Sequence, residues 1–255
     1  MVQSDRYQTL PTSNELPDSD GLPVDNEDQN FLPNYLLFLL QLIWQDRYDW
    51  YFGVDMGIYH LTGVNPRVPV VPDGFLSLGV PRRKPNQRFR KSYVTWEEDS
   101  IAPTFVLEVV SWTPGNEYEE KKDIYAKLGV LYYVIYNPEY WQRDRHQPFE
   151  VYQLIEGRYQ LQLGEPYWMP EVGLAIGRHQ GSVGGIDREI LSWFDQQGNR
   201  YLSAEEQARQ AQAETQAERQ ARCAAVRRLR QMGLTVEQIA DALELSIAVV
   251  NQNLD

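Results

Sequence analysis

The chain has 255 residues and a hydrophobic content of 42%, enough for one mid-sized domain with a buried core plus an appendage. Its formal net charge is −12. This charge excludes a general nucleic-acid coat protein, which is basic, but it does not exclude an enzyme that acts on nucleic acid. The single cysteine, Cys223, excludes a disulfide framework and a cysteine-rich zinc site, and it fits a reducing cytoplasm.

The N-terminus is acidic and lacks the basic and apolar segments of a signal peptide. The most apolar stretch, Tyr35 to Trp44, is too short to span a bilayer. We therefore expect a soluble, cytoplasmic protein that has no membrane partner.

The front of the chain predicts a lead-in, a helix and two strands before a basic loop. Residues 1–28 are rich in Pro, Ser, Asp and Gln and are expected to be flexible. Dense apolar residues predict a buried helix over 31–45. Strands are predicted over 49–61 and 69–78, and prolines place the second at an edge or give it a kink. The loop covers 80–92, and residues 93–96 are interpreted as a short strand.

The middle of the chain gives the clearest pattern. Residues 104–111 are apolar on both faces apart from one glutamate, which predicts a central strand. A helix is predicted over 117–128, with Gly129 beyond its end, and another strand over 131–136. Residues 149–154 and 158–163 are typical of a hairpin. This order of helices and strands indicates an α/β or α+β core.

The composition changes at Ser203, where alanines begin to recur at helical spacing. A long helix is predicted over 201–232. Such a helix is marginal alone in water, so we expect it to pack as a coiled coil, and a second copy of the chain as its partner predicts a homodimer. Residues 233–255 have the rhythm of a helix-turn-helix. The domain that precedes the long helix is predicted over 29–200.

Three charged residues carry the candidate chemistry: Asp73, Glu108 and Lys121. A charge inside an apolar strand is costly unless it has a partner. If the strands of Asp73 and Glu108 are neighbours, their carboxylates meet and repel each other unless a cation lies between them. Oxygen ligands without His or Cys favour Mg²⁺ or Mn²⁺, and such an ion polarises a phosphoryl oxygen and activates water. Lys121 would stabilise charge on the phosphate or orient the water.

Structural alternatives exist for each of these residues. Asp73 precedes a glycine and is also suited to a turn, Glu108 to a structural pair with an arginine, and Lys121 to a solvated helix face or an ion pair with Glu117. The basic run either contacts DNA phosphates or forms a solvated hairpin tip; it consists of Arg82, Arg83, Lys84, Arg88, Arg90 and Lys91. Five aromatic residues are interpreted as core and rim residues rather than base-stacking platforms: Trp112, Tyr132, Tyr133, Tyr140 and Trp141.

The chain resembles the Uma-type family of putative restriction endonucleases, within the PD-(D/E)XK nuclease superfamily. The resemblance covers about residues 30–185 and rests on Pro72-Asp73, on Leu107 to Ser111, and on Glu117, Lys121, Tyr125 and Gly129-Val130. It implies a mixed sheet flanked by helices, in which Asp73 and Glu108 bind the metal. The superfamily lysine normally lies two residues after the glutamate, where this chain has Val110. The resemblance implies that Lys121 has taken its role.

Together these observations predict an Mg²⁺- or Mn²⁺-dependent endonuclease that hydrolyses phosphodiester bonds in DNA, with Asp73, Glu108 and Lys121 as catalytic residues. The displaced lysine and the acidic net charge leave a second class open. In that alternative the chain is a non-catalytic regulatory protein that binds DNA or protein on a nuclease scaffold.

Overall fold

The computed structural model describes residues 10–17, 26–84, 89–113, 115–183 and 185–254. The chain divides into two compact units, residues 1–201 and 202–255. The helices are α1 (Glu27–Ile43), α2 (Glu120–Leu128), α3 (Trp141–Asp144), α4 (Ala204–Gln231), α5 (Val236–Ala242) and α6 (Ile247–Gln252). The strands are β1 (Trp50–Val54), β2 (Ile58–Tyr59), β3 (Gly74–Leu78), β4 (Tyr93–Val94), β5 (Phe105–Val109), β6 (Tyr132–Tyr136), β7 (Phe149–Ile155), β8 (Arg158–Leu161), β9 (Tyr167–Met169), β10 (Leu174–Val183) and β11 (Ile186–Phe194).

A six-stranded mixed sheet organises the first unit, in the order β1-β3-β5-β6-β7-β8. Strands β5 and β6 are parallel, because helix α2 returns the chain across the sheet between them. The other neighbours are antiparallel. β5 lies inside the sheet and is buried along its whole length, as its apolar sequence predicts.

Both faces of this sheet are covered. On one face, α1 and the three-stranded sheet β11-β10-β9 enclose a core that includes Leu36, Trp50, Phe105 and Trp193. On the other face, α2 contributes the fully buried Tyr125 to a second core. The result is a restriction-endonuclease-like mixed α/β fold, which confirms the fold class predicted for the front domain.

Helix and strand boundaries differ from the predictions at several points. The predicted 49–61 strand is two strands, β1 and β2, because Asp55 between them adopts a φ of +46°. Helix α1 begins at Glu27 with Asn26 as its N-cap, inside the predicted lead-in. Strands β9 to β11 were not predicted at all. None of the helices that the structure describes is long and apolar enough to cross a membrane.

Residues 10–17 of the predicted flexible lead-in pack on the domain. Trp96 donates its indole N–H to the Pro11 carbonyl, and Tyr59 donates its hydroxyl to that of Pro17. Ser13 donates to both carboxylate oxygens of Glu97 at 2.8 and 2.9 Å. These specific contacts order the segment, although its composition alone is typical of a flexible chain. Residues 1–9 and 18–25 of the predicted lead-in lie outside the described residues.

The second unit consists of a long helix and a small helical core. Ser203 begins α4 with a capping box that involves Glu206, as their spacing predicts. Every residue from 207 to 222 is exposed. Only the last turns of α4 pack on α5 and α6, around Val226, Ile239 and Val250.

Candidate active site at the carboxyl end of strand β5

Asp73 immediately precedes β3, and its backbone position is set by the pairing of β3 with β5. Gly74 lies opposite Leu107 in that pair. This register brings the Asp73 side chain to the end of β5, where its Oδ2 accepts a hydrogen bond from the Val109 N–H at 2.6 Å. Among the residues that the structure describes, none donates a hydrogen bond to Asp73 Oδ1. The carboxylate is therefore fixed by one oxygen and offers the other to a ligand.

Glu108 lies within β5 and is 1% exposed. Its Oε2 accepts from the Lys121 ammonium at 2.8 Å, and its Oε1 accepts from the Tyr125 hydroxyl at 2.6 Å. Lys121 and Tyr125 are four residues apart on α2 and so share one face of that helix. Helix α2 thus lays one donor on each oxygen of the strand carboxylate.

The Lys121 side chain extends from α2 into the site, although its neighbours in the sequence are polar. Besides Glu108, its ammonium donates to the Val71 carbonyl at 3.4 Å, two residues before Asp73. Lys121 therefore contacts Glu108 directly, and Asp73 lies close enough to both for their charges to shift its pKa. Lys122 points elsewhere, with its ammonium 3.5 Å from the centre of the Tyr152 ring.

Glu117 is a nearby acid whose surroundings were wrongly predicted. It lies before α2, which begins at Glu120, so it is not on the same helix face as Lys121. Its carboxylate accepts from the Gly115 N–H, with 3.0 Å to each oxygen. A Cβ on residue 115 would lie 2.5 Å from Glu117 Oε1, which explains the glycine. Glu117 is only 5% exposed and adds negative charge to the surroundings of Asp73 and Glu108.

Burial and neighbouring charges shift the pKa of Asp73, Glu108 and Lys121 upward. Burial raises the pKa of Asp73 well above its ordinary value, and the neighbouring Glu108 raises it further. Burial likewise raises the pKa of Glu108, against the lowering effects of Lys121 and the Tyr125 hydrogen bond. Burial by itself lowers the pKa of Lys121, but Glu108 and Asp73 more than offset this, so the net shift is upward. A buried site with more carboxylates than ammonium groups has this signature, and it favours an added cation.

The oxygen ligands suit a hard divalent cation. Asp73 and Glu108 supply carboxylates and no soft ligand, which matches Mg²⁺ or Mn²⁺. Within the described part of the chain, no three His, Cys, Asp or Glu side chains come together as a metal-binding group. An ion here would therefore take its other ligands from water or the backbone, as Mg²⁺ usually does.

The six basic residues predicted to contact DNA occupy different environments. Arg90 is buried, and its guanidinium donates to both oxygens of Glu98 at 2.9 and 3.0 Å. Lys84 pairs with Glu97 and Glu98 at 2.9 and 3.0 Å. The Arg82 guanidinium lies 3.7 Å over the Trp50 ring. Arg83 and Lys91 are exposed, and Arg88 lies outside the described residues.

The Tyr125 hydroxyl orients Glu108 by a hydrogen bond that the sequence does not reveal. Changing Tyr125→Phe is expected to weaken Mg²⁺ binding about 10- to 100-fold, the usual cost of losing a hydrogen bond that orients a metal ligand. Unfolding free energy should also fall by about 1–3 kcal/mol because the buried carboxylate loses a donor. Calorimetric titration and urea unfolding measure the two effects.

Tyr152→Phe is the matched control, since Tyr152 donates to the buried Glu150 at 2.6 Å on strand β7. It should lower stability similarly and leave Mg²⁺ affinity unchanged. Equal Mg²⁺ affinity in Tyr125→Phe and the wild type would contradict the positioning role.

Asp73→Asn should stabilise the metal-free protein at neutral pH and not at acid pH. Because its folded pKa is raised, Asp73 contributes stability that is fully present below its unfolded pKa of about 4. That contribution is lost as the pH rises through the folded value. The variant's advantage should therefore grow from pH 5 to pH 8 in urea unfolding with EDTA. If the difference in stability between the variant and the wild type does not change with pH, folding does not raise the pKa of Asp73.

The fold is a six-stranded mixed sheet flanked by helices, and Asp73, Glu108 and Lys121 lie near one another at the end of strand β5. This combination defines a restriction-endonuclease-like protein. The chain belongs to the Uma2 family, described as putative restriction endonucleases, whose family model matches residues 23–179. This match spans the whole site. No curated protein and no solved structure matches the chain.

Proposed function

We propose that this protein is an Mg²⁺- or Mn²⁺-dependent endonuclease that cleaves phosphodiester bonds in DNA. The observation that carries the proposal is the ion pair of the buried Glu108 with Lys121, close to a second, partly exposed carboxylate, that of Asp73. Family membership supports nuclease activity and DNA as the substrate, and the choice of metal rests on the chemistry of the site.

Asp73 and Glu108 would hold the cation, and Lys121 would act on the substrate. The cation, when bound, supplies positive charge that polarises a phosphoryl oxygen of the scissile bond. Asp73 offers Oδ1 while Oδ2 stays on the Val109 N–H. Glu108 keeps its orientation through Tyr125. The Lys121 ammonium stabilises charge that develops on the phosphate.

Phosphate contacts away from the scissile bond rest on the exposed Arg83 and Lys91. The guanidinium of Arg90 and the ammonium of Lys84 are already paired with Glu98, so their first role is to hold the loop. Arg83 and Lys91 would add affinity that falls with rising salt.

The observation that favours a non-catalytic DNA-binding protein is Val110, which stands where the superfamily lysine normally lies. Nicking of supercoiled plasmid, measured with Mg²⁺, with Mn²⁺ and with EDTA, separates the two functions. The nuclease should nick with either ion and not with EDTA. DNA binding in EDTA with no nicking in either ion would establish the alternative.

A homodimer through α4 and a cytoplasmic location complete the proposal. The first half of α4 carries Glu205, Glu206 and Glu214 against one arginine, Arg209, and the second half carries Glu218 against five arginines: Arg219, Arg222, Arg227, Arg228 and Arg230. Two antiparallel copies of α4 would place opposite charges side by side, and each would cover the exposed stretch of the other. Analytical ultracentrifugation of the wild type and of a chain ending at Tyr201 tests the dimer. A dimer that persists without α4 would refute it.

A further inference from the structure

Trp112 exposes its indole ring beside the candidate active site. Its exposed fraction is 75%. Tyr132 and Tyr133, for which the sequence predicts the same role, are fully buried. Trp112 is therefore not a core residue. Its exposed indole offers a large, rigid apolar face to a ligand.

The ring is held in place before any ligand arrives. The Trp112 carbonyl accepts from the Arg143 guanidinium at 2.9 Å. The Trp112 ring packs edge-on against Tyr140, with 5.9 Å between ring centres and 79° between planes. Arg143 in turn lies 4.5 Å over the Tyr140 ring and pairs with Asp144 at 2.7 Å. Such preorganisation lowers the entropic cost of binding a flat partner.

The position of Trp112 ties it to the substrate of the proposed nuclease. It follows Glu108 by four residues, a reach of at most about 14 Å along the chain. It emerges at the carboxyl end of β5, and Tyr140 lies just beyond the carboxyl end of the parallel neighbour β6. Trp112 and Tyr140 therefore lie at the same edge of the sheet as the candidate site.

We propose that Trp112, supported by Tyr140 and Arg143, is a stacking platform for an unpaired nucleobase. The substrate would then be single-stranded or gapped DNA rather than continuous duplex. This inference rests on the proposed nuclease function. Bases in a duplex are stacked on each other, so only an unpaired base presents its face to an aromatic ring.

The charges around the ring favour a base over a phosphate or a protein surface. The Arg143 guanidinium is neutralised by Asp144, which it contacts through two nitrogens, so it is poorly suited to a phosphate. One tryptophan ring offers about 150–250 Å², far less than the ~800 Å² per partner of a specific protein interface. A single planar ligand fits these conditions.

Binding measurements without cleavage test the platform. Fluorescence anisotropy in EDTA would compare labelled 20-nucleotide single-stranded DNA, a duplex with a three-nucleotide gap, and the intact duplex. Wild-type protein should bind the first two more tightly than the duplex. Trp112→Ala should bind them about 5- to 100-fold more weakly, the range for one base–aromatic stack, and Trp112→Phe should retain most of the affinity. Duplex affinity should not change.

Tyr48→Ala is the matched control, because Tyr48 is 72% exposed just before β1, at the opposite end of the sheet from Asp73. The platform would be overturned if Trp112→Ala and the wild type bound single-stranded DNA with equal affinity. It would also be overturned if Trp112→Ala changed the oligomeric state. If nicking depends on Glu108 but not on Trp112, the nuclease function holds and the stacking platform does not. Trp112-dependent binding with no cleavage of any DNA would leave the platform without the nuclease.

Discussion

Changing Glu108→Gln is expected to reduce DNA cleavage by about 10³-fold and to abolish the thermal stabilisation that Mg²⁺ gives the wild type. Glutamine keeps the size of the side chain and an acceptor for the Tyr125 hydroxyl, but it removes the charge that attracts the cation. The loss follows from the several kcal/mol that a metal ion contributes to charge stabilisation at a phosphoryl group, since each 1.4 kcal/mol is about tenfold in rate.

Plasmid nicking and thermal unfolding measure the two effects. At Mg²⁺ about tenfold above its Kd, the wild type should gain about 1.4 kcal/mol, or roughly 3–6 °C in Tm. Glu150→Gln is the control: Glu150 is also buried, on β7, and Ile135 of β6 lies between it and Glu108 in the sheet. A Mg²⁺-induced shift of the same size in Glu108→Gln and the wild type would contradict the assignment of Glu108 as a ligand.

Changing Lys121→Met should separate metal binding from catalysis. Cleavage should fall about 10²- to 10³-fold because the group that stabilises charge on the phosphate is gone. Mg²⁺ affinity should rise, since the ammonium no longer competes for Glu108 Oε2 at 2.8 Å. The metal-free protein should lose about 1–3 kcal/mol of stability. This is less than the 3–5 kcal/mol of a fully buried pair because the lysine side chain is 25% exposed.

Titration calorimetry, unfolding with and without Mg²⁺, and the nicking assay together give a distinctive result. The variant should be less stable than the wild type in EDTA, and Mg²⁺ should largely restore its stability. Lys122→Met controls for the loss of a lysine from the same helix, because Lys122 contacts the Tyr152 ring instead. Weaker Mg²⁺ binding by Lys121→Met would exclude competition between the two cations.

The central part of the fold was predictable because local sequence and tertiary context agree there. The apolar run of β5 and the glycine after α2, at a φ of +88°, each mark their element directly. Strands β9 to β11 were missed because Gly177 and Gly181 interrupt β10, and six of its ten residues are not buried. Continuous pairing of β10 with β11, from Ala175 opposite Phe194 to Val183 opposite Ile186, defines these strands, and a single sequence does not display it.

The proximity of the candidate site residues was predictable, but their surroundings were not. Residue type, order and resemblance single out Asp73, Glu108 and Lys121; the pairing of β3 with β5 brings the first two near each other, and α2 brings Lys121 to Glu108. Tyr125 contributes to the family resemblance, but nothing in the sequence reveals that its hydroxyl donates to Glu108. Glu117 was assigned to a helix because its neighbours favour one, whereas Asn116 adopts a φ of +60° and delays the helix start.

The ion pair between Lys121 and Glu108 gives the chain a built-in counter-ion. Two neighbouring carboxylates without a cation would repel each other in the folded domain. Here the Lys121 ammonium neutralises one of them, Glu108. Under the proposed function, metal binding at Glu108 would replace one cation by another in a folded domain. Such a nuclease would fold without metal and become active as the free divalent ion in its surroundings rises.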